Sequence, residues 1–281
     1  MTVGVGVRFD GVSFEYPGGV RALDDVRLEV TAGESVALIG QNGSGKSTLV
    51  RHLNGLLRPK AGRVLVGDED TAGRRIAELS RTVGLAFQNP DRQIFAGSVR
   101  TEVAFGPRNL GVRGEALDAA VREALATVGL DGAEERNPYD LGFSRRKLLC
   151  IASVLAMRTP VVVLDEPTTG QDARGVARVR EVVAALAAEG RTVIAISHDM
   201  RFVAETFGRV VVLRDGRVLL DGTPATVFDE PNREALASTF VAPPLPARVG
   251  AALGLGGTPT EAALVAAVAA AVSAPPSTSG R

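Results

Sequence analysis

The run Gly40-Gln41-Asn42-Gly43-Ser44-Gly45-Lys46-Ser47 follows the order G-x-x-x-x-G-K-S. Glycines at those spacings let the main chain approach oxygen atoms closely, so that successive N–H groups and a helix N-terminus surround the β- and γ-phosphates of a nucleotide. Lys46 adds a point charge on the γ-phosphate, and the Ser47 hydroxyl is placed to ligate Mg2+. A second group lies far along the chain, where Val161-Val162-Val163-Leu164 is followed by Asp165-Glu166. Asp165 is suited to hold Mg2+ through water, and Glu166 to orient and deprotonate an attacking water. An isolated Asp-Glu at a strand end is ordinarily a surface pair. The upstream phosphate loop makes this one a candidate for hydrolysis.

These groups need a strand, a loop and a helix in fixed order. Glu34 to Ile39 is an apolar run of buried-strand length, and Ser47 to Leu53 reads as a helix. The four apolar residues before Asp165 have the pattern of a strand buried on both faces, which delivers the two acids to the C-terminal edge of a parallel sheet. Residues 5–16, 24–30, 62–66 and 83–87 predict further strands, as do Thr192 to Ile196 and a hairpin over 209–220 turning at Asp215-Gly216. From about Asn89 to Pro160 the pattern is helical: Ser98 can cap one helix, Glu115 to Val128 forms a second and Ser144 to Met157 a third. Val176, Val179, Val183 and Leu186 give the helix from Ala173 to Glu189 one packed face. Beyond Pro231 the chain becomes rich in Ala and Pro. Thr258-Pro259-Thr260-Glu261 predicts a capping box with proline at the first helical position, opening a small Ala/Val helix.

The 281 residues suffice for one large α/β domain with a smaller appendage. Lys and Arg total 32, as do Asp and Glu, so there is no electrostatic footprint for nucleic acid. The single cysteine, Cys150, excludes a disulfide framework and is expected to be inert core. Met1 to Asp10 lacks the layout of a signal peptide, and no uncharged apolar run reaches the ~18 residues that span a bilayer. A cytosolic location follows as the expectation, with any membrane contact made through a partner. Lysine occurs only at 46, 60 and 147 in an otherwise Arg-based chain, which makes the lysine inside the phosphate loop more telling.

Together these motifs resemble an ABC-type ATPase. The resemblance implies the P-loop NTPase fold of that family: a RecA-like core with an antiparallel β subdomain, an inserted helical subdomain at about 89–160 and a small α-containing C-terminal extension. On that reading 5–230 is the ATPase domain, 231–272 the small C-terminal domain and 273–281 a disordered tail. The phosphate loop contributes Gly40, Asn42, Gly43, Ser44, Gly45, Lys46, Ser47 and Thr48 to ATP, and Tyr16 matches the aromatic that stacks on adenine. Gln88 matches the glutamine that senses Mg2+ and water, His198 the switch histidine on the γ-phosphate, and Asp172 the loop that crosses the dimer interface. With Glu166 these give the catalytic set Glu166, His198 and Gln88 and the metal set Ser47, Gln88 and Asp165.

The segment Phe87 to Phe95 is similar to the glutamine loop of ATPases in energy-coupling-factor and cobalt-type importers, with Asp91 to Phe95 starting a short extra helix that carries Gln93. Thr101 to Pro107 and the tail from Leu236 also resemble that group. The resemblance implies ATP and Mg2+ as cofactors, and a location on the cytoplasmic face of the membrane. It implies three partners: a second, different ATPase chain, a transmembrane coupling subunit and a substrate-binding membrane subunit. One station departs from the family. Where ABC ATPases carry Leu-Ser-Gly-Gly-Gln, this chain has Leu141-Gly142-Phe143-Ser144-Arg145, with Gly142 for the serine and Phe143 and Ser144 for the glycines. Ser144 is expected to cap the helix, with Arg145 and Arg146 adding positive charge there. Two other readings stay open: an ABC ATPase that works without a membrane partner, and a regulatory nucleotide-binding module.

Overall fold

The structure, a computed structural model, describes residues 4–273. Strands β1 (Val7–Glu15), β2 (Arg21–Val30) and β3 (Ser35–Ile39) come first, then the short helix α1 (Lys46–Val50), β4 (Ala61–Val66), β5 (Glu69–Asp70), α2 (Ile76–Leu79) and β6 (Val83–Ala86). Three longer helices follow: α3 (Val99–Asn109), α4 (Gly114–Val128) and α5 (Phe143–Leu155). The chain then alternates through β7 (Val161–Asp165), α6 (Ala173–Ala188), β8 (Thr192–Ile196) and α7 (Met200–Thr206) to the hairpin β9 (Arg209–Arg214) and β10 (Arg217–Gly222). It ends in α8 (Pro224–Val227), α9 (Arg233–Ala237), α10 (Leu245–Ala252) and α11 (Glu261–Ser273).

Two sheets result. One is antiparallel, in the order β2-β1-β4-β5; the other has six strands, β10-β9-β3-β8-β7-β6, with only β10 antiparallel to its neighbour. The central parallel strands read as unbroken apolar runs because each face meets a different core. Val161 and Val163 of β7 pack with the antiparallel sheet, whereas Val162 and Leu164 pack with the helices. Val36 and Leu38 of β3 divide from Ala37 and Ile39 in the same way. Burial on both faces fixes the register of these strands, since a slip of one residue would exchange the two sets. The helix α3 starts at Ser98, whose hydroxyl accepts from the Thr101 N–H, as the sequence predicts.

Two local expectations need correction. The helix after the phosphate loop stops at Val50 and continues to Leu53 as turns. The start of α11 is capped by Thr260, whose Oγ1 accepts from the Ala263 N–H, and Pro259 precedes the helix. The Thr258 hydroxyl is drawn away by tertiary structure and donates to the Pro246 carbonyl. The residues read as a disordered end lie outside the described residues, except Ser273, which closes α11. In the segment after Pro231, Leu236, Val241 and Ala247 join the large core, whereas α11 has no buried residue. No helix among the described residues is long and apolar enough to cross a membrane.

Cys150 sits in α5 at 2% exposure, and burial pushes its thiol up to about 12, with the Glu102 carboxylate adding to the effect. Thiolate is the reactive form. The native protein is therefore expected to resist thiol reagents at pH 8 and to react once unfolded, which a colorimetric thiol titration with and without denaturant checks.

Candidate active site

The phosphate loop joins β3 to α1 through a backbone that only glycine tolerates at two points. Gly40 has φ 139, and a Cβ there would lie 2.1 Å from the Leu213 carbonyl oxygen of β9. Gly45 has φ 103, and its Cβ would lie 2.5 Å from the Ala22 carbonyl oxygen of β2. Both sheets thus press on the loop and set its shape. Lys46 is buried at 6% exposure, and its Nζ donates to the carbonyls of Gly40 (2.7 Å) and Gln41 (2.9 Å). Burial pulls the Lys46 pKa down, while the Glu166 and Asp165 carboxylates pull it back up.

Opposite the loop, β7 ends in the two acids. Asp165 lies within 3.3 Å of the Ser47 hydroxyl, which donates to its Oδ1. Glu166 has a left-handed backbone, φ 52, and its N–H donates to the Ile196 carbonyl of β8 at 2.9 Å. Its Oε2 accepts from the His198 N–H at 3.3 Å and from the Thr169 hydroxyl at 3.2 Å. Its Oε1 is buried, 3.1 Å from His198 Nε2, without hydrogen-bond geometry to any partner among the described residues. Burial raises the carboxyl pKa of both acids. For Asp165 the Ser47 hydroxyl opposes the rise; for Glu166 the His198 N–H and the Thr169 hydroxyl do so. Burial, and then the Lys46 charge, lower the pKa of His198, so its imidazole is neutral at pH 7 and the contact with Glu166 is not an ion pair.

Lys46, Ser47, Glu166 and His198 line one cleft of about 330 Å3, together with Tyr16, Asn42, Gly43, Ser44, Gly45, Thr48 and Gln88. The Tyr16 ring stands edge-on to Phe14, and its hydroxyl is hydrogen-bonded to Thr48 Oγ1 at 3.0 Å. Gln88 lies exposed just beyond β6, on the same cleft. Gly40 and Asp165 do not line it but meet it through Lys46 and Ser47. The oxygen donors of Ser47, Asp165 and Gln88 suit a hard divalent cation that keeps several waters, and the unpartnered Glu166 Oε1 offers a carboxylate oxygen beside them. That donor set fits Mg2+.

The signature segment lies elsewhere. Gly142, Phe143, Ser144, Arg145 and Asp172 do not line this cleft. Gly142, not Ser144, is the N-cap of α5. The Ser144 hydroxyl instead donates to Gln171 Oε1 (2.6 Å), and Gln171 Nε2 returns a bond to the Ser144 carbonyl (3.0 Å). Phe143 packs on Gly170, where a Cβ would meet the ring at 2.6 Å. Asp172 caps α6 by accepting from the Gly175 N–H. Both unusual signature side chains are therefore engaged by the chain's own loop before α6.

Several functional contacts escaped the sequence. Gln93 is not on a helix of its own but follows the single turn Pro90–Arg92. Its Oε1 accepts from the Phe87 N–H (2.9 Å) and its Nε2 donates to the Cys150 carbonyl (3.0 Å), so it ties the glutamine loop to α5. Arg146 adds an ion pair to Asp91 across the same gap. The buried Glu102 carboxylate accepts the N–H groups of Phe95 and Ala96 and so fixes the segment after Gln93. Lys147 is buried in α5, and its Nζ donates to the Glu166 carbonyl. The one sequence signal for it was that lysine is rare here.

A strand, a glycine-rich loop and a helix opposite a strand-end acid pair define a P-loop nucleotide-binding protein with an added antiparallel sheet. The family description "ABC transporter" matches residues 23–169, and the chain belongs to that family as an ATP-binding protein. It is 43% identical over 219 residues to the energy-coupling factor transporter ATP-binding protein EcfA of Methanocaldococcus jannaschii, covering 77% of this chain and 78% of that one. It is 41% identical over 238 residues to the cobalt import ATP-binding protein CbiO of Rhodobacter capsulatus, covering 84% of each. The chain spans 39% of the length of two longer curated relatives that it matches. Among solved structures, cbiO1 from Clostridium perfringens, described as part of the ABC transporter complex cbiONQ, superposes with a TM-score of 0.73 at 33% identity, covering 88% of this chain and 98% of that one.

Proposed function

We propose that this chain is the ATP-hydrolysing subunit of an energy-coupling-factor or cobalt-type importer, working at the cytoplasmic face of a membrane through separate membrane subunits. The observation that carries the reading is the convergence of Lys46, Ser47, Glu166 and His198 on one cleft at the C-terminal edge of the parallel sheet, with Asp165 meeting it through Ser47. ATP lies with its phosphates on the Gly40–Ser47 loop and its adenine against Tyr16. Ser47, Asp165 and Gln88 would hold Mg2+, which would offset the phosphate charge. Glu166 Oε1 accepts a proton from water as the water oxygen bonds to the γ-phosphorus and the bond to the β–γ bridging oxygen breaks, releasing ADP and phosphate. His198 contacts the γ-phosphate and, through its N–H, holds Glu166 Oε2 in place. Gln88 reports the nucleotide state to the membrane partner through the segment tied to α5.

Each site of an ATPase pair takes its loop from one chain and its signature helix from the other. This chain offers a complete loop and acid pair, but a signature in which Phe143 and Ser144 are turned onto Gly170 and Gln171. The site that uses this signature lacks the serine hydroxyl and close glycine amides, and one such donor is worth ~10²–10³ in rate. The working unit is therefore a heterodimer with one fast site and one slow site. The chain purified alone, assayed at high concentration with MgATP, is expected to hydrolyse slowly. Adding a partner ATPase with a complete signature restores a single fast site per dimer. Two equivalent fast sites in the isolated chain would overturn the asymmetric arrangement. Co-purification of apolar membrane subunits with a tagged chain separates the importer from an ATPase that acts without a membrane.

A further inference from the structure

The Glu166 main chain is left-handed, a conformation that a residue with a Cβ adopts only when its surroundings hold it there. Its polar groups are held from different directions. The N–H is bonded to Ile196 of β8, Oε2 is bonded to Thr169 and to the His198 N–H, and the carbonyl is bonded to Lys147 of α5. Lys147 is 3% exposed. A buried ammonium is unfavourable unless its charge is countered and its protons are bonded. Burial lowers the Lys147 pKa and the Glu166 and Asp165 carboxylates oppose that as its countercharge; unlike Lys46, Lys147 does not line the nucleotide cleft.

Lys147 also belongs to the helix that begins at the signature segment. One turn further along that helix, the Cys150 carbonyl accepts the Gln93 side chain, whose other end holds the Phe87 N–H beside Gln88. The helix α5 thus grips the glutamine loop at Cys150 and the end of β7 at Lys147. Displacing it against the sheet strains both attachments.

We propose that Lys147 is a positioning residue for ATP hydrolysis: its bond to the Glu166 carbonyl fixes the left-handed turn that aims the Glu166 carboxylate, and so links the signature helix of this chain to its own catalytic acid. The inference rests on Glu166 being the group that accepts the proton from water. Nothing is transferred to or from Lys147, which acts through the Glu166 backbone and charge alone.

The test compares Lys147→Met, Lys147→Gln and Glu166→Gln in the full chain within its assembled complex. Methionine has a similar unbranched chain without the donor; removing one member of a buried, charge-countered group lowers stability, so every variant is assayed at a temperature at which it is fully folded. The expected result for Lys147→Met, below its Tm, is ATP affinity and KM within about twofold of wild type and kcat reduced about 10- to 100-fold, the scale of a small misplacement of a reacting group. Lys147→Gln, which keeps a neutral donor, recovers part of that loss. A wild-type kcat in Lys147→Met overturns the proposal, as does a loss accompanied by an equal rise in KM. No recovery with glutamine overturns the assignment to the hydrogen bond. Glu166→Gln separates the two layers. If it is inactive while Lys147→Met is normal, only the role of Lys147 fails; if Glu166→Gln itself hydrolyses normally, the reading of the acid fails beneath it.

Discussion

Glu166→Gln is expected to bind MgATP with near-normal affinity and to hydrolyse it about 10²–10⁴-fold more slowly, the range for removing a general base. Glutamine keeps the size of the side chain and an oxygen that can accept from the His198 N–H and the Thr169 hydroxyl, so the site keeps its shape. What it loses is basicity at the oxygen that stands buried and unpartnered. Burial already raises the Glu166 pKa, bringing the carboxylate nearer to a base matched to neutral pH. The variant should accumulate as a closed, ATP-bound dimer, visible as a larger species by size-exclusion chromatography with MgATP. Equilibrium nucleotide binding beside single-turnover hydrolysis checks the prediction, and a wild-type hydrolysis rate would show that another group takes the proton.

Lys46→Ala should fail one step earlier. Its ammonium is fixed above the loop by the Gly40 and Gln41 carbonyls, ready to bond phosphate oxygens. Charge-assisted hydrogen bonds are worth about 1.5–3 kcal/mol each, so losing even one weakens nucleotide binding by roughly 10- to 150-fold. Removing the cation also leaves Asp165 and Glu166 facing the phosphates with less positive charge between them. Titration calorimetry with MgATP measures the loss, and an unchanged thermal melt establishes that the chain is folded. Near-normal affinity would mean that the loop amides alone hold the phosphates.

Much of this was legible in the sequence because the parts are local. The phosphate loop carries its glycines, lysine and serine within eight residues, and flanking runs identify the strand and helix that hold them. The acid pair was legible for a similar reason: four apolar residues require a strand buried on both faces, and such a strand can only present its acids at its end. Less legible were side chains whose partner comes from a distant segment. Ser144 has the composition and position of a helix cap, but Gln171 competes for its hydroxyl and Gly142 takes the cap. Thr258 matches a capping box by spacing, yet the Pro246 carbonyl claims it and Thr260 does the capping. Lys147 sits among apolar residues of α5, and no local pattern says that its ammonium reaches the end of β7. In each case the decisive neighbour is set by packing, which periodicity does not encode.

The departures in the signature segment also acquire a physical sense. A phenylalanine against Gly170 and a serine paired with Gln171 make one connected patch across the start of α5 and the loop before α6. That patch joins the signature to the loop containing Asp172, so whatever faces this surface meets both at once. The same helix reaches the glutamine loop through Gln93 and Arg146. Nucleotide cleft, signature and glutamine segment are mechanically joined by α5.

The most direct test of the central claim is ATP hydrolysis and solute uptake measured together in vesicles that contain the complex purified through this chain. The account predicts Mg-dependent hydrolysis accompanied by uptake, with both lost when Glu166 is replaced by glutamine in this chain alone. Uptake that continues unchanged with Glu166→Gln, or a chain that hydrolyses ATP at full rate while no membrane subunit accompanies it, would contradict it.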